Sequence, residues 1–155
     1  MSTAKMDRVV PALKLPATQD QTIDLKSLRG KNVVIYFYPK DSTPGFTTKG
    51  QDFAGNHLKF KRRNTVVLGV SRDSIASHEK FRAKYNFPFD LLSDSEEQAC
   101  GIFDVIKEKN MYGRKVMGIE RSTFLIDEKG KLRKEWRKVK VKGHVDEVLE
   151  AVKDL

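Results

Sequence analysis

The chain has 155 residues, 39% hydrophobic and 33% charged, which is enough to bury a core and fits one soluble globular domain spanning 1–155. No apolar run reaches the roughly 18 residues of a membrane span, and residues 1–7 hold no apolar signal segment, so a cytoplasmic protein is expected rather than a membrane or exported one. The net charge of +9 leaves room for polyanion contact. One cysteine excludes an internal disulfide and a cysteine-based metal site, three isolated histidines (His57, His78, His144) give metal binding little support, and no cofactor is expected.

Residues 1–16 read as an extended leading segment, because Pro11 and Pro16 oppose helix. Residues 22–30 read as a short strand or turn closing at Gly30. The run VVIYFY at 33–38 is the pattern of a strand buried on both faces. The stretch PKDSTPGFTTKGQD at 39–52 is then the turn at that strand's C-terminal end, where open α/β sheets hold their ligand sites. Pro44 and Gly45 break the backbone and place residue 46 on the first turn of a new helix. Free N–H groups and the helix dipole there favour an anion and lower the pKa of any thiol.

Residues 47–62 read as that helix. Phe46, Phe53 and Phe60 recur every seven residues, with Gly50 and His57 near the same stripe. Core packing accounts for the stripe; Phe46 as a plug in a pocket at the loop is a second reading, compatible with the first. Cations Lys59, Lys61, Arg62 and Arg63 suit the helix C-terminus. Residues 65–71 are the next buried strand. Asp73 or Ser74 caps a helix through Tyr85, with Ile75, His78, Phe81 and Tyr85 near one face. Residues 87–92 lead through a short strand to Asp94-Ser-Glu-Glu97, whose capping-box spacing predicts a short helix through about Phe103. Cys100 lies on it. A free cysteine usually acts as a small buried hydrophobe, and no cation-rich helix start is present to activate it.

Residues 105–118 read as a polar, glycine-interrupted loop, and 119–126 as a strand. Residues 127–130 form a hairpin turn, with Gly130 free to take positive φ. In the partner strand 131–141, Leu132 and Trp136 share one parity while Val139 and Val141 share the other, which places a bulge or strand end near Arg137. Gly143 precedes a final helix with Val145, Val148, Leu149, Val152 and Leu155 on one stripe. The order βαβαβ, then a hairpin and a helix, predicts an α/β fold with a mixed central sheet flanked by helices.

The loop carries a resemblance. Pro39, Thr43, Pro44, Gly45, Thr47 and Thr48 stand as in the active-site loop of peroxiredoxins of the bacterioferritin-comigratory (PrxQ) branch. That family reads Pro-x-x-x-Thr-x-x-Cys, usually within Thr-Pro-Gly-Cys-Thr-Thr. The resemblance spans essentially the whole chain. It implies a thioredoxin-like fold and thiol-dependent reduction of hydrogen peroxide and organic hydroperoxides, with thioredoxin or a similar thiol as reductant. A monomer is expected.

The position of the peroxidatic cysteine is Phe46, and a phenyl ring cannot attack an O–O bond. The family often carries a second, resolving cysteine five residues on or in a later helix; here Gln51 holds the first place and Arg82 marks the second. The remaining family roles fall to Thr43, which hydrogen-bonds peroxide, Pro39, which shields the loop, the amides near residue 46, and Arg121, which supplies fixed charge. Taken alone, Thr43 reads as a turn residue and Arg121 as a partner for a surface carboxylate.

Three functional readings follow. The chain is a substituted copy of an active peroxidase, a non-catalytic paralogue that binds a partner, or a basic module. In the third, the cations between Lys129 and Lys142 with Trp136 give weak non-specific nucleic-acid binding. Against it stands a solvated hairpin face with Trp136 in the core.

Overall fold

A computed structural model of the chain describes residues 3–41, 44–140 and 142–155, with the backbone alone at 44–46 and 111. The central strand is β3 (Asn32–Phe37), after β1 (Lys14–Ala17) and β2 (Gln21–Asp24). All six of its residues are buried, which is why it reads as an unbroken apolar run. It pairs in parallel with β4 (Thr65–Ser71) and antiparallel with β8 (Ser122–Ile126). Adding β5 (Asp90–Ser93) and β9 (Leu132–Arg137), the sheet runs β2-β1-β5-β4-β3-β8-β9. This is the mixed, thioredoxin-like α/β sheet expected.

Alternation along β3 divides the interior in two. Val33, Ile35 and Phe37 join one core with Cys100 and Ile102 of α4 (Gln98–Ile102). Val34, Tyr36 and Tyr38 join the other. There they meet Phe53 of α1 (Pro44–Gly55), Phe60 of α2 (His57–Arg62), Phe81 of α3 (Ile75–Tyr85) and Val148 of α5 (His144–Lys153). The phenylalanine stripe is core at both described positions, Phe53 and Phe60. Gly50 belongs to it for a steric reason: a Cβ there would lie 2.7 Å from Cζ of Phe87.

Several expectations need correction. The helix predicted over 47–62 is two helices, α1 and α2, broken after Gly55 at Asn56, whose side-chain N–H donates to the Asp52 carbonyl. The leading segment, by contrast, is extended as expected, and from Lys14 it pairs with β2 as a strand. The polar stretch 105–118 is not a loop. It is a hairpin of β6 (Ile106–Met111) and β7 (Arg114–Ile119), turned by Tyr112 and Gly113, both at positive φ. Ile119 therefore belongs to β7. The capping box forms differently: the Asp94 carboxylate accepts from the amides of Ala99 and Cys100, while Glu97 takes the N-cap position in a left-handed conformation.

On β9 the strand ends at Arg137 as expected, but the irregularity lies at the other end, where Leu125 faces Lys134 and Ile126 faces Leu132. That extra residue reverses parity. Leu132 enters the first core and Trp136 packs on the second, although both sit at even positions. Val141 lies outside the described residues. Leu155 is exposed beyond the end of α5 instead of continuing its stripe.

Candidate active site

The C-terminal end of β3 delivers the chain into Tyr38, Pro39, Lys40 and Asp41, and α1 begins at Pro44. Proline suits a first helical position, because its missing N–H would be unsatisfied there anyway. Residue 46 stands on the first turn of α1, as the sequence predicts. Thr43 and the side chain of Phe46 lie outside the described residues. Pro39 is half-buried. Arg121 is exposed at the head of β8, next to Ser122, which pairs with Phe37. The loop, the start of α1 and Arg121 thus share one end of the sheet.

Asp41 anchors the near side of the loop. Its backbone N–H donates to Asp73 Oδ2 at 2.8 Å. Its carboxylate accepts from Tyr38 OH at 2.7 Å and from Ser77 Oγ at 2.8 Å, and meets His78 Nδ1 at 2.8 Å. His78 is fully buried, and its Nε2 lies 2.9 Å from the Leu92 carbonyl, which can only accept. Each ring nitrogen thus faces an oxygen, one of the Asp41 carboxylate and the other of the Leu92 carbonyl. Burial alone would raise the Asp41 carboxyl pKa; the hydrogen bond and charge of His78, with Tyr38 and Ser77, bring it below the ordinary value. Asp41, Asp73 and His78 bring ligating atoms within 4.8 Å of one another. Asp41 Oδ2, Asp73 Oδ2 and both His78 nitrogens are already engaged in hydrogen bonds, so the cluster works as a brace for the loop.

One turn into α1, Lys49 is 1% exposed. Its Nζ donates to Thr123 Oγ1 at 3.1 Å and lies 5.2 Å from the centre of the Tyr36 ring. Thr123 Oγ1 lies 2.8 Å from His144 Nε2. With the threonine oxygen accepting from Lys49, its proton goes to His144, which is then the neutral tautomer carrying hydrogen on Nδ1. Burial first, and then the charge of Arg121, lowers the Lys49 ammonium from 10.5 to about 7. Burial and the charge of Lys49 hold His144 at about 3. Residues 36, 49, 123 and 144 thus form a buried polar chain beneath the candidate loop. Sequence reading missed it, although Lys49 falls three residues after Phe46 and four before Phe53, on the apolar stripe itself. A lysine on the buried face of a helix was the available signal.

Cys100 is the chain's single cysteine and is fully buried in the first core, across the sheet from Lys49. Burial, with Asp94 beside it, pushes its thiol pKa far up. It is the small buried hydrophobe expected. Of the positions offered for resolving cysteines, Arg82 ties α3 to the Phe89 carbonyl at 3.1 Å. Trp136 is half-buried, its ring edge-on to His144, and is no free stacking platform.

Comparison with known proteins places this geometry. Residues 6–135 match the AhpC/TSA family. Peroxiredoxin Bcp of Bacillus subtilis is 49% identical over 153 residues, covering 99% of this chain and 98% of its own length. Peroxiredoxin Bcp of Xanthomonas campestris is 57% identical over 129 residues, 83% of this chain and 81% of that protein. The solved structure of Xanthomonas campestris peroxiredoxin Q superposes with a TM-score of 0.88 at 53% identity, covering 92% of this chain and 90% of that one. A cysteine-to-serine mutant of Xylella fastidiosa PrxQ gives 0.92 at 43% identity, covering 99% and 98%. The chain belongs to the AhpC/TSA family. It shows strong homology to the Bcp, or PrxQ, peroxiredoxins, and it has no cysteine in the loop where the sequence pattern calls for one. No helix among the described residues is long and apolar enough to cross a membrane.

Proposed function

We propose that the chain is a single-domain cytoplasmic peroxiredoxin of the Bcp type, monomeric, whose scaffold for peroxide reduction is intact but whose chemistry is impaired at position 46. In the family reaction a thiolate sulfur attacks one peroxide oxygen, the O–O bond breaks, a sulfenic acid forms, and the other oxygen leaves as water or an alcohol. A thioredoxin-like thiol then reduces the sulfenic acid. In this reading Phe46 occupies the place of that thiolate. Thr43 and the amides of the first turn of α1 face the peroxide, Pro39 shields the loop and Arg121 supplies charge. One observation carries the proposal: the chain's single cysteine is sealed in the opposite core with its thiol pKa raised.

A peroxide-consumption assay with thioredoxin or dithiothreitol tests it. Consumption should not exceed the rate without protein, and Cys100→Ala should change nothing. Rapid turnover lost in Cys100→Ala would overturn the reading. The +9 charge further supports weak, sequence-independent DNA contact that falls steeply between low and physiological salt. Tight binding that survives high salt would instead favour a dedicated nucleic-acid module.

A further inference from the structure

At the opposite end of β3 from the candidate active site, the surface opens into a cavity of about 760 Å³. Its walls come from residues 3–12, from the short 3-10 helix Leu25–Leu28 with its C-terminal flank, and from the turn after β8. These walls are stitched together by backbone. Val10 N–H donates to the Gly130 carbonyl and Gly30 N–H to the Glu128 carbonyl, each at 2.9 Å. The cavity is therefore preformed. Its floor is apolar, with Leu28, Val33 and Ile126 continuous with the first core.

Five cations ring this floor: Lys5, Arg8, Lys26, Arg29 and Lys31. Among the described residues none of the five is in an ion pair. The one carboxylate in the lining, Asp127, is already engaged. It accepts from the amides of Lys129 and Lys131 and pairs with Arg133 at 3.3 Å. Five uncompensated positive charges around one concavity are mutually repulsive, and a multiply charged anion relieves that repulsion. Arg8 and Arg29 offer planar forks that match phosphate oxygens in pairs. An apolar floor of this extent takes a flat organic group, and the volume lies within the range of about 300–1,000 Å³ typical of small-molecule sites. A walled cavity suits a compact ligand better than a polymer, which tracks an open groove.

We infer that this cavity is a binding site for a small organic polyphosphate of the nucleoside triphosphate class, with the phosphates on the cation ring and the nucleoside on the apolar floor. The site is independent of the chemistry at position 46.

The test is isothermal titration of the full chain with ATP at near-physiological salt. Saturable binding at one site per chain is expected, with inorganic tripolyphosphate weaker and adenosine undetectable. The triple variant Arg8→Ala/Lys26→Ala/Arg29→Ala, altering exposed side chains only, should weaken ATP binding at least about tenfold. A control with the same loss of charge elsewhere, Lys80→Ala/Lys84→Ala/Arg114→Ala, should leave it unchanged. Failure of ATP to saturate, or equal weakening by the control, would overturn the inference. So would a single-stranded DNA oligomer that binds more tightly than ATP and loses affinity in the first variant, because the surface would then be a nucleic-acid track.

Discussion

Lys49 and residue 46 sit three positions apart on α1 and make opposite demands. A fully buried lysine is costly as a cation, and among the described residues one hydrogen bond, to Thr123, and the face of Tyr36 offset that cost. Lys49→Met keeps length and apolar volume while removing the charge, and Thr123 can still donate to His144. The variant should be more stable at neutral pH by about 1–3 kcal/mol, read as a higher urea midpoint with unchanged slope. A lower midpoint would mean that the polar chain stabilises the fold. Phe46→Cys asks a different question of the same turn. The first turn of a helix presents amides with no carbonyl partner inside the helix, and the charge of Arg121 already reaches this region, as its effect on Lys49 shows. A thiol at 46 should titrate well below the ordinary value of about 8.5 and be converted to sulfenic acid by peroxide. Trapping that acid in Phe46→Cys/Cys100→Ala after a peroxide pulse is the measurement. A folded variant whose thiol reacts no faster than free cysteine would remove this loop as a peroxidatic site.

At the scale of elements, α1 depends on a close approach that only glycine permits. The Phe87 ring closes on Gly50, and a methyl there must displace an aromatic side chain that also stacks on Tyr85 and Phe89. Gly50→Ala removes a helix-weakening glycine, worth up to about 1 kcal/mol in its favour, but overpacking should win, with a net loss of about 1–2 kcal/mol in urea unfolding. A stabilised variant would show that Phe87 has room to move. The elements most legible in the sequence are those with a one-sided burden. β3 and β4 announce themselves because both faces are covered, and α3 because Ser74 caps it, accepting from the Ser77 amide at 3.2 Å. The β6–β7 hairpin hides because β7 buries only Ile119, leaving Val116 and Met117 exposed, so no alternation betrays a strand. The break between α1 and α2 hides because the phenylalanine stripe runs straight through it. At the site, the loop was readable from local spacing. The Asp41–His78 and Lys49–Thr123–His144 contacts span separations of 21 to 74 residues, which only the sheet register brings together.

For the whole molecule, proton linkage sets where on the pH axis the fold is most stable. Native Lys49 releases its proton at about 7, whereas an unfolded lysine keeps it to 10.5. Between those values the unfolded state binds the extra proton, so stability climbs with pH across that window. His144, at about 3 in the fold against 6.5 unfolded, acts with the same sign at lower pH: stability drops as pH falls from 6.5 towards 3. Asp41, with its pKa lowered, adds a further loss below 3.8. The opposite sign comes from groups whose native pKa is raised, mainly by burial. Cys100, Tyr36 and Tyr38 stay neutral in the fold but ionise in the unfolded chain from 9.0 and 10.0 upwards, and stability is lost there as pH rises. Self-repulsion from the +9 charge also fades as pH approaches the pI of 9.6. The maximum should therefore fall near pH 8–9, alkaline of the usual window of about 5–8. Urea midpoints at about pH 5, 7, 9 and 11 should rise over the first three and fall at the last. Lys49→Met should flatten the limb between 7 and 9 and shorten the acid limb, because burial alone then holds His144 below 6.5. If the parent chain is instead flat between 7 and 9 and matches the variant there, Lys49 keeps its proton in the fold, and the buried amine is solvated better than its 1% exposure implies.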